Sequence, residues 1–312
     1  MKNISDLLRA IGKRLNRDLS SSMRRGLDDA KFLSARLLID RLRSQGPLPR
    51  LSDAEFRVFS QFGDDGIIQY LIHLLGPVDE RFIEFGVENY AESNTRFLLM
   101  NDNWTGLVID GSREHVKHIR RQDYHSRHTL TAAHAFIDRS NVNSLFRDNG
   151  FAGGLGLLSI DIDGNDYWVW EAVDCVEPVI VICEYNAVFG ASRAVTVPYD
   201  PTFQRTRAHP SNLYFGASLA ALCLLARRKG YAFVGANSAG NNAYFVRQDR
   251  LGPLRVLGPE QGFVDSRFRE SRDADGRFTF LSGPARREAI ADMEVVDLDT
   301  NRTLRVGEIG NP

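Results

Sequence analysis

An apolar strand that stops abruptly on acids constrains this chain more than any other feature. Residues 157–170 read LLSIDIDGNDYWVW, so a run suited to a sheet interior ends in Asp161, Asp163 and Asp166 around Gly164 and Asn165. Like charges held this close raise one another's pKa unless a cation, hydrogen bonds or water offset them. Two other strand-like runs also end in acids, Phe82-Ile83-Glu84-Phe85-Gly86 and Gly106-Leu107-Val108-Ile109-Asp110. Three such ends in order describe the ligand-binding rim of an open α/β sheet.

Around these ends the pattern alternates. Phe82 to Gly86, Gly106 to Asp110, Thr129 to Phe136, Leu155 to Asp161 and Pro178 to Tyr185 predict five extended segments, the last with the β-branched run of a strand covered on both faces. Helical spacing falls between them at Asn94 to Asn101, with Ser93 as N-cap, and at Arg113 to Arg121, Asn141 to Asn149 and Tyr167 to Val173. A helix over Gly216 to Lys229, closed by Gly230, precedes two short strands, Tyr231 to Ala236 and Ala243 to Arg247, joined by a turn. Strand-helix alternation predicts an α/β fold with a mostly parallel sheet, and the closing hairpin adds an antiparallel strand. Trp168 and Trp170 read as core-packing aromatics of their helix.

The flanks differ in character. Residues 1–50 hold twelve Lys/Arg against five Asp, a net of +7, which leaves −8 for the remainder. Leu7, Leu8, Ile11 and Leu15, then Phe32, Leu33, Leu37, Leu38 and Leu42, recur at helical spacing, with weak breaks at residues 20–22 and Gly26 and a stop at Gly46-Pro47. This predicts a basic helical arm over 1–50, read either as a solvated helix face or as a contact with an anionic membrane surface, an acidic glycan or an oligomer partner. Nucleic acid is not expected as a partner, because the remainder is acidic and no aromatic-basic RNA motif occurs. After a core at 51–250, residues 251–312 carry β pieces at Arg277 to Leu281 and Glu294 to Val306, a small β-rich extension placed to cover an acceptor site or to contact another copy. Asp297, Asp299, Asn301 and Glu308 match calcium-loop positions, but Arg302 replaces the required glycine, so a hairpin is expected. Cys175, Cys183 and Cys223 lie in apolar contexts without metal spacing and read as free thiols. With no secretory segment and no run of about eighteen apolar residues, a cytoplasmic protein is expected.

Dinucleotide-binding folds and S-adenosylmethionine methyltransferases both place an acid after the second strand, where it accepts hydrogen bonds from ribose hydroxyls, and Asp110 suits either. The dinucleotide case also wants G-x-G-x-x-G, so that backbone can approach a pyrophosphate. Here Gly86-Val87-Glu88-Asn89-Tyr90-Ala91 supplies one glycine and adds a carboxylate. Glu88 would repel a pyrophosphate but not a cofactor carrying a sulfonium and an amino group.

On Ser60-Gln61-Phe62-Gly63-Asp64-Asp65-Gly66, IEFG, VIDGS, SIDIDGND and the late FGASL and GYAFVGAN segments, the chain resembles the FkbM-type branch of class I methyltransferases across roughly residues 56–249. The resemblance implies a Rossmann-like, seven-stranded sheet with its last strand antiparallel, S-adenosylmethionine across the strand ends, and O-methylation of a sugar, glycan or secondary-metabolite hydroxyl. By position it puts Glu84 and Gly86 at the methionine part, Asp110 at the ribose and Asp161 near the transferable methyl, with Gln61 among the cofactor-binding residues. The second and third glycines usual after the first strand are missing.

Methyl transfer to an alcohol asks for alignment and for a group that takes the hydroxyl proton. Asp161, Asp163 and Asp166 are the candidates, with His209 as an acceptor-side base or a merely solvated loop histidine. Asp161 with Glu184 and Asn186 after the fifth strand also makes an oxygen-ligand set suited to Mg²⁺ or Mn²⁺. The bland alternative for DIDGND is a charged turn capping the helix from Tyr167. A nicotinamide-dependent sugar oxidoreductase and a non-catalytic adaptor are the rival functions, disfavoured by the absent phosphate loop and the retained acidic rim respectively.

Overall fold

A computed structural model describes residues 26–267 and 269–310. Hydrophobic runs of five to nine residues, each closed by a turn or an acid, become β1 (Arg81–Phe85), β2 (Thr105–Asp110), β3 (Leu130–His134), β4 (Gly153–Ile160) and β5 (Val176–Glu184). After a two-residue β6 (Val195–Thr196) come β7 (Tyr231–Ala236) and β8 (Asn242–Arg247). Seven of these form one sheet in the order β3-β2-β1-β4-β5-β8-β7, in which β8 runs antiparallel to both of its neighbours. This is the Rossmann-like order of a class I methyltransferase sheet, with the last strand inserted between β5 and β7.

Helices cover both faces. Residues 26–44 (α1), α2 (Asp64–Leu75), α3 (Arg96–Asn101) and α4 (Arg113–Arg120) pack on the side of Phe82, Val108, Leu157 and Ile180. After α5 (Asp123–Arg127), the helices α6 (Val142–Asp148) and α7 (Asp166–Ala172) lie on the side of Ile83, Phe85, Leu107 and Leu158. With a short α8 (Arg205–Ala208) between, α9 (Leu219–Arg228) completes that face, its first turn capped where Ser218 Oγ accepts the Ala221 N–H at 3.1 Å. Trp170 is buried here against Phe245, and Trp168 donates from its indole to the Val197 carbonyl.

The extension supplies β9 (Glu294–Asp297) and β10 (Arg302–Arg305), an antiparallel hairpin that joins β6 in a three-stranded sheet over its own small core of Val195, Val295 and Val306. Asp297 is tied there to Arg193 and to the N–H groups of Asp299 and Thr300, as a hairpin rather than a calcium loop requires.

Two local expectations fail, and one helix goes beyond them. Arg277 to Leu281 is no strand; the only pairing there is an isolated bridge between Arg272 and Phe278. Gly26 is the first described residue and starts α1, and the segment it was expected to separate lies outside the described residues. Ser93 caps no helix, because its hydroxyl donates to Glu84 and α3 starts after Thr95. The helix α2 was not foreseen, although Ile67, Ile68, Leu71 and Leu75 give it a buried face. The expectation for Leu7, Leu8, Ile11 and Leu15 lies outside the described residues.

Candidate active site

Parallel strands deliver their carboxyl ends to one edge, and register decides which ends meet. Phe85 pairs with Ile109 and Ile160, and Ile160 pairs with Cys183. One residue further on, Gly86 therefore lies beside Asp110 on one side and Asp161 on the other, while Asp161 lies beside Glu184. Gly86 has φ +76°, and a Cβ on it would sit 1.4 Å from the Asp161 carbonyl oxygen. Only glycine allows β1 and β4 to end this close together.

Beyond Gly86 the backbone turns through the left-handed region at two non-glycine residues, one of them, Glu88, at the second glycine position of the motif. Glu88 and Tyr90 adopt φ +47° and +62°, the left-handed region that non-glycine residues enter at a cost. The Tyr90 ring is buried and its hydroxyl bonds that of Thr95, which fixes the turn.

Two cavities adjoin at this edge. The larger, about 490 Å³, is bordered by Gln61, Glu84, Gly86, Asp161, Asp163 and Glu184 on the sheet side. Arg205, Asn212 and Phe215 line its far wall, and Ser266, Glu270 and Arg286 bring the extension to it. The smaller, about 190 Å³, runs past Asp110, Ala135, Phe136, Ile137 and Ile162, and shares Gly86, Glu88, Asp161 and Asp163 with the first.

The acids differ in their partners. Both oxygens of Glu84 are occupied: they accept the N–H groups of Asn94 and Thr95 and the hydroxyls of Ser93 and Thr95. Asp166 likewise accepts the N–H of Ile162 at 2.8 Å and of Gly164 at 2.9 Å, which shapes the loop after β4. Burial raises Asp166 to about 6 even so. Asp110 accepts the Ser112 N–H at 2.7 Å on one oxygen, which also faces His115 Nδ1, while its other oxygen has no partner among the described residues. Asp163 pairs with Arg205 at 2.5 Å, and that guanidinium is held by the Asn212 carbonyl and the Phe215 ring.

The carboxylates of Asp161 and Glu184 accept no hydrogen bond among the described residues, and one Glu184 carboxylate oxygen is wholly buried. Burial first, and then the charges of Asp163 and Asp166, push Asp161 well above the ordinary carboxylate range. Burial and then Asp161 and Asp163 do the same to Glu184. Arg205 opposes both shifts without cancelling them.

Three sequence expectations are corrected. Asp166 is completely buried and borders neither cavity, so it builds the loop instead of touching a ligand. His209 closes α8, with Nδ1 2.7 Å from Ser211 Oγ, and does not line the cleft. Asn186 does border the cleft, but its amide donates to the Leu213 and Phe215 carbonyls and its oxygen accepts the Val188 N–H, so it holds loops together. The oxygen cluster is instead Asp161, Asp163 and Glu184, with ligand atoms within 4.8 Å of one another. Arg205 was missed, since one arginine in a polar loop gives no local signal.

The sequence matches no protein-family profile and no curated protein. Among solved structures, it overlaps an O-methyltransferase from Bacillus cereus in complex with SAH, at 12% identity over 58% of this chain and 78% of that one, with a TM-score of 0.35. The O-methyltransferase TomG from Streptomyces achromogenes, involved in tomaymycin synthesis and solved with SAM, overlaps at 12% identity over 64% of this chain and 89% of that one, with a TM-score of 0.37. M. capricolum TrmK with SAH overlaps at 10% identity, 56% and 65% coverage and a TM-score of 0.31. Overlaps this slight carry no conclusion; the fold rests on the strand order. Among the described residues no helix is long and apolar enough to cross a membrane.

Proposed function

We propose that this chain is an S-adenosylmethionine-dependent O-methyltransferase of FkbM type, acting on a hydroxyl of a sugar, glycan or secondary metabolite. The observation that carries the reading is the pair Asp161 and Glu184, two half-buried carboxylates with no donor among the described residues, at the larger cavity, with Asp161 where the two cavities adjoin along the strand ends. Such a site calls for positive charge or a proton. S-adenosylmethionine, when bound, supplies a methyl group on a cationic sulfur.

The chain's own residues divide the remaining work. Asp110 offers a free oxygen to ribose hydroxyls, and Phe136 gives the smaller cavity an aromatic wall for a base. Glu84 stiffens the loop over residues 93–95, and Gly86 keeps the floor open. Asp161 or Glu184, its pKa raised by burial and by the neighbouring carboxylates, is the group to take the acceptor proton, work typically worth about 10²–10⁴-fold. Arg205 steers Asp163 and leaves the other two acids unpaired. A nicotinamide cofactor fits less well, because Glu88 stands where a pyrophosphate would lie. A divalent ion is the second reading, favoured by the three clustered carboxylates, with Asp163 in place of Asn186.

Calorimetric titration with S-adenosylhomocysteine tests the cofactor class without needing the acceptor. Wild type should bind, and Asp110→Ala should bind more than about tenfold more weakly, the scale of a lost charge-assisted hydrogen bond. No binding to wild type removes the reading; equal binding by a folded Asp110→Ala removes Asp110 from the site.

A further inference from the structure

On the proposed function the cofactor takes the strand ends from Asp110 to Asp161, so the acceptor has to be held at Glu184 and beyond. The next strand in the sheet is β8, and the residue paired with Glu184 there is Asn242. Directly opposed residues of an antiparallel pair point to one face with Cβ atoms about 4.5–5.5 Å apart, close enough to meet on neighbouring atoms of one ligand. Asn241 precedes it in the turn from β7, and its carbonyl accepts the Tyr185 N–H at 2.8 Å. Both asparagines border the larger cavity.

The turn is fixed from beneath. Asn237 Oδ1 accepts the N–H groups of Gly240 at 3.1 Å and of Asn241 and Asn242 at 3.3 Å. Its Nδ2 donates to Asn241 Oδ1 at 2.8 Å and to Asp64 Oδ1 at 3.0 Å. The same Asp64 oxygen accepts Asn242 Nδ2 at 3.0 Å and the Tyr244 hydroxyl. Asp64, Asn237 and Tyr244 are wholly buried, and a buried network of this kind stiffens what it holds.

Two polar atoms are left over. Asn241 and Asn242 are only 6% and 5% exposed, yet Asn241 Nδ2 and Asn242 Oδ1 have no partner among the described residues. A network that served the turn alone would close on itself, as buried polar groups do. What remains is one donor and one acceptor on consecutive residues. A hydroxyl uses both; a carboxylate has no proton for Asn242 Oδ1, and an ammonium has no lone pair for Asn241 Nδ2.

We propose that Asn241 and Asn242 are the acceptor-recognition pair of this site and hold a second hydroxyl, on the carbon next to the one that is methylated. The inference rests on the proposed function, in which Asp161 or Glu184 takes the proton of the reacting hydroxyl. The acceptor is then a vicinal diol rather than a lone alcohol, and the amide pair decides which of its two hydroxyls faces the methyl group.

Saturation-transfer NMR on the full chain loaded with S-adenosylhomocysteine tests this, with the methyl pyranosides of glucose, mannose and galactose and their monodeoxy analogues as probes. At least one parent glycoside should bind, and its affinity should fall about tenfold at two adjacent deoxy positions. Asn241→Asp replaces the free donor by an acceptor and keeps the Oδ1 that Asn237 uses. It should bind S-adenosylhomocysteine as wild type does and the parent glycoside about tenfold more weakly, and it should no longer distinguish the parent from one of the two deoxy analogues. Asn241→Ala carries the same expectation if the aspartate variant does not fold. Weaker binding of S-adenosylhomocysteine by a folded variant overturns the proposal by placing the pair at the cofactor. Binding of none of the glycosides, undiminished glycoside binding by the variant, or losses at two separated positions overturns it while the cofactor reading stands. Failure of wild type to bind S-adenosylhomocysteine overturns that reading and this inference with it.

Discussion

Glu84 and Asp166 sit at the same sheet edge as Asp161 and Glu184, and burial raises the pKa of all four. What divides them is the second-largest influence on each. For Glu84 and Asp166 it is a hydrogen bond, from the Ser93 hydroxyl and the Ile162 N–H respectively, and it pulls the pKa back down. For Asp161 and Glu184 it is another carboxylate, which pushes the pKa further up. Buried polar groups in folded proteins are nearly always paired, so the first two acids behave as architecture. The second two are half-buried at the cleft and have no protein donor among the described residues, and on the proposed function that asymmetry assigns them the chemistry.

The comparison breaks first at Glu84. Glu84→Ala would strand four donors at once, the N–H groups of Asn94 and Thr95 and the hydroxyls of Ser93 and Thr95. At about 1–3 kcal/mol for each unsatisfied buried group, a loss of about 4 kcal/mol or more is expected. Thermal or urea unfolding would show it, or the protein would not be recovered folded. A variant within about 0.5 kcal/mol of wild type would mean that this acid is not structural.

Asp161→Asn should do the opposite. It strands no donor, so melting temperature should hold or rise, while turnover of a methylated acceptor falls about 10²–10⁴-fold if the carboxylate takes the proton. Exhaustive chelation sharpens the result: full activity afterwards leaves Asp161 and Glu184 as proton acceptors, and lost activity restored by Mg²⁺ makes them ligands. Near-normal turnover of Asp161→Asn would place the chemistry elsewhere.

Strand positions were legible because they depend on local pattern. Runs such as 178–185 cannot be anything but a covered strand, and their acidic ends announced the edge. At the second glycine position Glu88 adopts the left-handed backbone that a glycine would, whereas Ala91, at the third, does not. Partner assignment was not legible. DIDGND offers three similar aspartates, and only the fold decides that Asp166 turns inward to two N–H groups while Asp163 turns outward to Arg205, forty-two residues away. Asn186 and His209 failed for the same reason: a polar residue near a strand end is equally fit to bind a ligand or to tie two loops together, and sequence spacing carries no information about which donors arrive.

The smallest expected effect probes the asymmetry most directly. Glu184 ionises near 4.5 when unconstrained, and its folded pKa lies above that. As pH rises through that value, unfolded chains shed the proton while folded ones keep it, so the folded state binds more protons and stability falls with rising pH until the folded group ionises too. Asp161 contributes with the same sign from an ordinary value of 3.8. Glu184→Gln removes one of these two titrations and one of the two charges. At pH 4 the variant should match wild type; above neutrality it should exceed it by about 1 kcal/mol, the scale of one unmatched buried polar group, or a few degrees in melting temperature. The gap between the two melting curves should therefore open as pH rises. Parallel curves across the whole range would mean that Glu184 finds a partner in solution, and the distinction between the two pairs of acids would collapse.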